Sequence, residues 1–101
     1  MRPIHLAQLD KTRPVLILTR PQVRPYLRTV TVAPITGTVR GLTTEVPVGV
    51  ENGLVQASVV SCDNITTVAW QSVGRLLGYL LPEQEPALCR AITAAFHLED
   101  Q

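Results

Sequence analysis

The sequence has few of the residues and segments that mark membrane proteins and the common enzyme classes. Aromatic residues make up 4% of the 101 residues, and only two cysteines are present. No apolar run approaches the roughly 18 residues that span a bilayer. Glycine-rich phosphate loops, HExxH and GxSxG are all missing. The N-terminus lacks an apolar signal core, so we expect one cytoplasmic domain over residues 1–101 that does not enter a membrane.

The cysteines and histidines form no metal-binding pattern. Cys62 and Cys89 make no CxxC pair, and neither has a histidine nearby at the spacing of zinc ligands. Free cysteine is among the most buried residue types. We therefore predict two free, buried thiols, no metal and no cofactor.

Basic residues are concentrated in the first forty positions, and almost all of them are arginine. Residues 1–40 hold seven bases and one acid, whereas residues 41–101 hold two bases and seven acids. Arginine favours bidentate contacts to phosphate. If these residues share one face, that face attracts an anion or a nucleic-acid backbone. From charge alone, a solvated surface is an equally good interpretation.

Short segments rich in β-branched residues predict a fold made mainly of strands. Pro14 to Leu18 is the most apolar of them and predicts a strand buried on both faces. The short connection "DKT" before it predicts a tight hairpin. The predicted strands are residues 4–9, 14–19, 29–35, 44–48, 58–62 and 66–70.

The C-terminal third has a different pattern. Gly74 and Gly78 interrupt residues 71–81, which predicts a short helical turn and one short strand. The acids after Pro82 and a following apolar stripe predict a helix over residues 83–97. Together the segments predict an α+β fold, a small antiparallel barrel or curled sheet with a C-terminal helix.

Polar side chains stand at the predicted strand ends, where they could meet around one phosphodiester. Cleavage of RNA by its own 2′-hydroxyl needs a base and a cation for the developing charge. A carboxylate and an arginine held before proline suit these roles. Each residue also has a simpler interpretation as a turn residue or a solvated charge, and taken singly the simpler one is favoured. The strand-end residues are Arg13, Thr36, Thr38, Arg40, Ser61, Asp63 and Asn64.

The blocks "TRPVLILT", "VAPIT" and "SVVSCDNITTV" together resemble the MazF/PemK family of toxin endoribonucleases from type II toxin–antitoxin systems. The resemblance runs from Ile4 through the terminal helix. It implies an SH3-like β-barrel with a C-terminal helix and a short additional helix. It also implies a homodimer, a MazE-type antitoxin, and metal-independent cleavage of single-stranded RNA that leaves a cyclic phosphate and a 5′-hydroxyl.

The resemblance also assigns roles to individual residues. Arg13 matches the catalytic arginine before proline, and Thr36 matches the catalytic threonine that binds phosphate. Asp63 matches the carboxylate that acts as base in PemK-type members, and Asn64 stands where the family often has glutamine. Further RNA contacts are expected from Arg24, Thr38, Arg40, Ser61 and Asn64.

Two departures from the family pattern bear on the site. Family members carry a glycine-rich loop of about ten residues before "RPV", where this chain has only "DKT". Ser61 replaces a second functional arginine of PemK-type members. We therefore expect an open site in which Arg13 supplies most of the positive charge.

Two competing hypotheses keep the same fold but not the activity. One is a non-catalytic toxin of the CcdB type that binds DNA gyrase. The other is an inactive binding module, which the missing loop and Ser61 suggest. Retention of Arg13 and Thr36 favours the endoribonuclease, because a pure binder has no need of this pair.

Overall fold

Residues 1–98 form one curled antiparallel sheet of seven strands and one α-helix. The computed structural model describes residues 1–98. The strand order is β4-β5-β3-β2-β1-β7, and β6 pairs with β3 outside this path. The elements are β1 (Arg2–Gln8), β2 (Thr12–Ile17), β3 (Thr29–Thr36), β4 (Glu45–Val48), β5 (Ser58–Ser61), β6 (Thr66–Ala69), β7 (Val73–Leu80) and α1 (Glu85–Ala95).

Strands β1 and β2 form the predicted tight hairpin. The last ladder pair is Gln8 with Thr12, so a three-residue turn joins the strands. The backbone N–H of Leu9 donates to the carbonyl of Lys11 at 3.0 Å.

Strand β3 is the centre of the sheet because three strands pair with it. β2 occupies one edge, and β6 and β5 share the other. The backbone N–H and C=O of Thr31 both face the β2 side, where they bond Thr19 and Leu18. Backbone direction alternates along a strand, so the nitrogen of Pro34 faces the opposite edge. β6 pairing ends at Val32 and β5 pairing begins at Ile35, and the missing N–H of Pro34 therefore falls in a gap.

Two apolar clusters lie on opposite faces of the sheet, and β2 contributes to both. Leu16 packs in one cluster, while its neighbours Val15 and Ile17 pack in the other. The prediction of a strand buried on both faces is therefore confirmed. The cluster that includes α1 contains Ile4, Leu16, Ala33, Val46, Val60, Leu80, Leu88 and Ala91.

The C-terminal helix is shorter than predicted. A 3₁₀ turn, Pro82–Gln84, precedes α1, and Glu85 begins the helix. Phe96 ends it, and His97 follows in the left-handed conformation, with φ of 53°. Of the predicted stripe, Leu88 is buried and Ile92 and Ala95 pack partly buried against the core, whereas Phe96 is 56% exposed; Ala91, outside the predicted stripe, is also buried. Short 3₁₀ turns occupy the place of the expected additional helix.

The prediction for residues 71–81 was wrong about the strand's length. A 3₁₀ turn, Trp70–Ser72, supplies the helical turn, but β7 then runs for eight residues through both glycines. Pairing with β1 holds β7 extended. Gly78 is needed because a Cβ there would overlap the carbonyl oxygen of Asn52. The glycines accommodate close packing in a strand and do not break it.

Asn52 joins the turn before β5 to the end of the sheet. Its side chain is fully buried, and its Oδ1 accepts from the N–H of Gly49 at 3.0 Å. Its Nδ2 donates to the Tyr79 carbonyl at 2.9 Å and to Gln84 Oε1 at 2.7 Å. A buried amide satisfied at both ends is favourable and specifies one arrangement. The turn, β7 and the entry to α1 are thus held together.

Both cysteines are free, but only one is buried. Cys62 is 1% exposed, whereas Cys89 lies exposed on α1. The prediction of buried thiols is therefore wrong for Cys89. No helix within residues 1–98 has the length and apolar character to cross a membrane. The assignment of residues 1–101 to one domain stays a prediction.

Replacing Gly78 with alanine is expected to destabilise the protein. The added methyl group would meet the Asn52 backbone, which has no flexible side chain to yield. Overpacking of this kind costs about 1–3 kcal/mol of unfolding free energy. The measurement is the urea midpoint at fixed protein concentration.

Gly74→Ala in the same strand is the matched control. Its Cβ would lie 3.5 Å from the Leu6 carbonyl oxygen, an ordinary contact, so we expect no loss of stability. Equal midpoints for the two variants would contradict the role given to Gly78.

Candidate active site

Seven of the eight predicted site residues line one open cleft of about 760 Å³. They come from the start of β2, the end of β3 and the loop after it, and the corner after β5. The seven are Arg13, Thr36, Thr38, Arg40, Ser61, Asp63 and Asn64. Strand pairing brings these segments together, since β3 lies between β2 and β5.

Arg13 is held at the mouth of β2 by its strand and by an ion pair. Its backbone pairs with Ala7, and its side chain is about one-quarter exposed. Nη2 donates to Asp10 Oδ2 at 3.0 Å, while Nε is buried without a partner among residues 1–98. A shielded donor without an acceptor is costly unless a ligand supplies one. The guanidinium is thus oriented and still has a free donor.

Asp10 stays ionised beside this arginine. The backbone N–H of Lys11 is the main cause of a lowered pKa at Asp10, and the charge and hydrogen bond of Arg13 lower it further. The carboxylate is exposed, so the pair is accessible to an incoming anion. A phosphate entering the cleft would therefore compete with Asp10 for Arg13.

Thr36 and Thr38 lie at the point where β3 leaves the sheet. Thr36 pairs with Val59 of β5, which places the last residue of the strand at the cleft. The N–H of Thr38 donates to Thr36 Oγ1 at 3.1 Å. Since that bond uses the oxygen as an acceptor, the hydroxyl proton of Thr36 is left to donate to a ligand.

The corner after β5 presents Ser61, Asp63 and Asn64 on a buried anchor. Cys62 packs in the core, and its N–H donates to the Thr44 carbonyl at 3.0 Å. Asn64 Nδ2 donates to Ser61 Oγ at 2.8 Å. Thr44 Oγ1 donates to Asp63 Oδ2 at 2.6 Å, and Asp63 remains exposed. The carboxylate is positioned through one oxygen while it faces the cleft.

Arg40 reaches the cleft from the loop between β3 and β4. The carboxylate of Glu45 accepts hydrogen bonds from the backbone N–H groups of Arg40, Gly41 and Leu42. Gly41 has φ of +73°, a conformation that glycine adopts without strain. The loop is therefore organised by one side chain.

Arg24 does not line this cleft. It lies in the 3₁₀ turn Arg24–Tyr26 and lines a different surface pocket together with Arg2 and Arg20. The basic surplus of the first forty residues is thus divided between two places. The expected contact of Arg24 with RNA stays a prediction.

The cleft is not simply basic, because it holds two cations and three carboxylates. Asp10 pairs with Arg13, Glu45 binds three backbone N–H groups, and Asp63 accepts from Thr44. Each acid has a polar partner that offsets part of its charge. Within residues 1–98, no three His, Cys, Asp or Glu side chains are placed so that they could hold a metal ion together.

The sequence analysis missed three residues that hold the site in place: Asp10 and Glu45, which line the cleft, and Thr44, which bonds Asp63 from beside it. Asp10 stands three residues before Arg13, which is a usable signal for an ion pair. Thr44 bonds Asp63, which is distant in the chain and is brought near by strand pairing. Glu45 bonds backbone N–H groups, which every residue but proline has. Only the presence of Gly41 and an acid four positions later hints at the loop.

The chain was compared with protein-family models and with known proteins. Residues 3–96 match the model of the PemK-like, MazF-like toxin of type II toxin-antitoxin systems. The chain belongs to this family. A curated relative, Endoribonuclease MazF3 of Mycobacterium tuberculosis, is 68% identical over 98% of this chain and 96% of its own length. Probable endoribonuclease MazF5 of the same species is 34% identical over 90% and 84%.

Solved structures of MazF toxins share the fold. Mycobacterium tuberculosis toxin MazF-mt6 is 67% identical, with a TM-score of 0.96 over 98% of this chain and 100% of that one. An endoribonuclease from a Mycobacterial species, solved in complex with its cognate antitoxin, is 24% identical with a TM-score of 0.87 over 98% and 95%. The latter likeness shows the fold alone. The predicted family, fold class, toxin function and endoribonuclease activity are confirmed.

Cys62, which anchors the Asp63 corner of this MazF-like toxin, is expected to resist alkylation in the folded protein. Burial, and to a lesser degree the charge of Asp63, raises the pKa of its thiol to about 11. At pH 8 the thiol is therefore protonated, and the thiolate is the reactive form. The measurement is the extent of Cys62 labelling by a short pulse of iodoacetamide at pH 8, read by mass spectrometry.

The Cys89→Ser variant serves for this test because it leaves Cys62 as the single thiol. Labelling should be slow in buffer and rapid in urea. Rapid labelling in buffer would mean that the corner opens readily.

Proposed function

We propose that this protein cuts single-stranded RNA in the cleft, using the substrate's own 2′-hydroxyl and no metal. The observation that carries the proposal is the convergence of Arg13, Thr36 and Asp63 in one cleft of a MazF-like chain. A cation, a hydroxyl donor and a carboxylate are the groups that such a reaction needs.

Each of the three residues has a role that agrees with its surroundings. Asp63 takes the proton of the 2′-hydroxyl, whose oxygen attacks phosphorus. Arg13 stabilises the charge that develops on the phosphoryl oxygens, and Thr36 donates to one of them. The bond to the 5′-oxygen then breaks, and this oxygen takes a proton from solvent in the open cleft while Arg13 stays charged and Asp63 returns its proton to solvent. The products are a cyclic phosphate and a 5′-hydroxyl.

The other polar residues of the cleft supply binding. Arg40, Thr38, Ser61 and Asn64 contact the sugar–phosphate backbone on either side of the cut. Phosphate contacts position a nucleic acid, and base contacts determine its sequence. Arg24 lies outside the cleft, so it reaches only nucleotides farther along the strand.

The protein acts in the cytoplasm as a homodimer held in check by a MazE-type antitoxin. Solved relatives of the same fold include MazE–MazF complexes from Deinococcus radiodurans. Large apolar side chains are left exposed on β7 and after α1, as expected for an assembly surface. They are Leu76, Tyr79, Phe96 and Leu98.

Arg13→Ala is expected to lower kcat/KM by about a hundred- to a thousandfold, the range for loss of one transition-state donor. Wild-type protein should cut total RNA at defined sequences in EDTA, leaving cyclic phosphates. The measurement is 5′-end mapping of the fragments, followed by kinetics on one mapped site.

Arg90→Ala is the matched control, because it removes the same charge from the exposed part of α1. It should cut like wild type. If the wild-type protein left RNA intact in EDTA, the proposal would be contradicted. If it inhibited DNA gyrase and did not cut RNA, the hypothesis of a non-catalytic CcdB-type toxin would be supported.

Asp10→Asn is expected to strengthen RNA binding about two- to fivefold at low salt, since an exposed ion pair is weak and its loss changes affinity only modestly. The reason is that Asp10 competes with phosphate for Arg13. The measurement is the Kd of an oligonucleotide with a 2′-deoxy nucleotide at the mapped cut. The gain should fade at high salt, where exposed charges are screened.

Glu83→Gln makes the same change of charge outside the cleft and should leave the Kd nearly unchanged. Weaker binding by Asp10→Asn would show that Asp10 holds Arg13 in its productive position and does not compete for it.

A further inference from the structure

Glu45, the first residue of β4, binds the backbone of the loop that precedes it. Its Oε1 accepts from the N–H groups of Gly41 at 2.9 Å, Arg40 at 3.1 Å and Leu42 at 3.2 Å. Its own N–H donates to the Leu42 carbonyl at 3.1 Å. Successive N–H groups that converge on one anion form a stable nest. The left-handed conformation of Gly41 helps to turn them inward.

The other hydrogen bonds of this loop lie near its two ends, where the Thr38 N–H donates to Thr36 and where Thr44 bonds Cys62 and Asp63. Residues 37–44 belong to no strand or helix, and a Cβ on Gly41 would have open space around it. The guanidinium of Arg40 has no hydrogen-bond acceptor among residues 1–98 that the structure records. Glu45 therefore fixes the backbone position from which the Arg40 side chain projects.

The charge of Glu45 is also offset where it stands. A carboxylate lining a phosphate-binding cleft would repel the substrate. Three charge-assisted hydrogen bonds to backbone N–H groups satisfy this carboxylate within the protein. Glu45 therefore organises the loop while it does little to weaken the attraction of the cleft for phosphate.

We propose that Glu45 is a positioning residue for RNA cleavage, which holds the 40–42 loop so that Arg40 contacts a phosphate of the substrate. The inference rests on the proposed function, because it assigns Arg40 an RNA contact. It makes Glu45 act through Arg40 and not on the reacting atoms. Its loss should therefore raise KM and leave kcat nearly unchanged.

Glu45→Ala is expected to raise KM about ten- to twentyfold, the lower end of the range for one lost hydrogen bond to a charged group, with kcat within about twofold. Arg40→Ala should give a similar KM. The double variant should be no worse than Arg40→Ala within about twofold, because a residue that acts only through Arg40 adds nothing once Arg40 is gone.

Glu45→Gln separates the acceptor from the charge. The carbonyl oxygen of glutamine can take the place of Oε1 and accept the same N–H groups. We expect its KM to stay within about threefold of wild type, given that neutral hydrogen bonds are about half as strong as charged ones. A KM as high as that of Glu45→Ala would overturn the positioning role.

Gly41→Ala tests the loop without altering any charge. Its side chain meets no neighbour, but φ of +73° is strained for alanine. KM should rise, again without a further loss in combination with Arg40→Ala. This variant decides the matter if Glu45→Ala fails to fold.

The outcomes separate this proposal from the proposed function. RNA left uncut by the wild-type protein would overturn both. Cleavage that depends on Arg13, with wild-type KM in both Glu45→Ala and Gly41→Ala, would overturn the role of Glu45 alone. A double variant whose KM rises by the product of the single effects would show that Glu45 acts independently of Arg40.

Discussion

The pairing of β3 with three other strands is the constraint on which the rest of the structure depends. One edge of β3 carries β2, and the other is divided between β6 and β5. Because β5 and β6 are joined by the corner at 62–64, they cannot both pair with β3 without presenting that corner beside it. This arrangement brings Arg13, Thr36 and Asp63 to one cleft. Pro34 lies at the gap between β6 and β5, the two strands that share one edge of β3, where a missing N–H is tolerated.

The cleft combines opposite charges at short range, and Asp10 offsets part of the charge of Arg13. Asp10, Glu45 and Asp63 each have a different partner: a guanidinium, three backbone N–H groups and a hydroxyl. Hydrogen bonds of this kind order side chains and lower the repulsion of a phosphate. Two of these three carboxylates depend on the start of β4: Glu45 is its first residue, and Thr44, the residue before it, bonds Asp63. The start of β4, which holds no predicted site residue, therefore orders the 40–42 loop and positions Asp63.

Much of the fold was predictable because its strands are rich in β-branched residues and bounded by turn residues. β2 and β3 were located within two residues, and the hairpin turn followed from its length. β7 was misjudged because glycine in a strand resembles a break, and only the close approach of Asn52 explains Gly78. The helix was overextended at both ends because its first turn is 3₁₀ and Phe96 does not pack inward.

The sequence by itself determined the family, the fold class and seven residues of the cleft. It could do so because an arginine before proline and a polar corner after an apolar strand are patterns of neighbouring residues, which can be seen in the sequence itself. The tertiary structure decided which other residues keep these seven side chains in position. Glu45 and Asn52 bond backbone groups of the 40–42 loop and of Tyr79, and Thr44 bonds the Asp63 side chain because the pairing of β4 with β5 brings these two residues together. Such contacts leave little pattern in sequence, since any residue supplies a backbone group and strand register is decided by the fold.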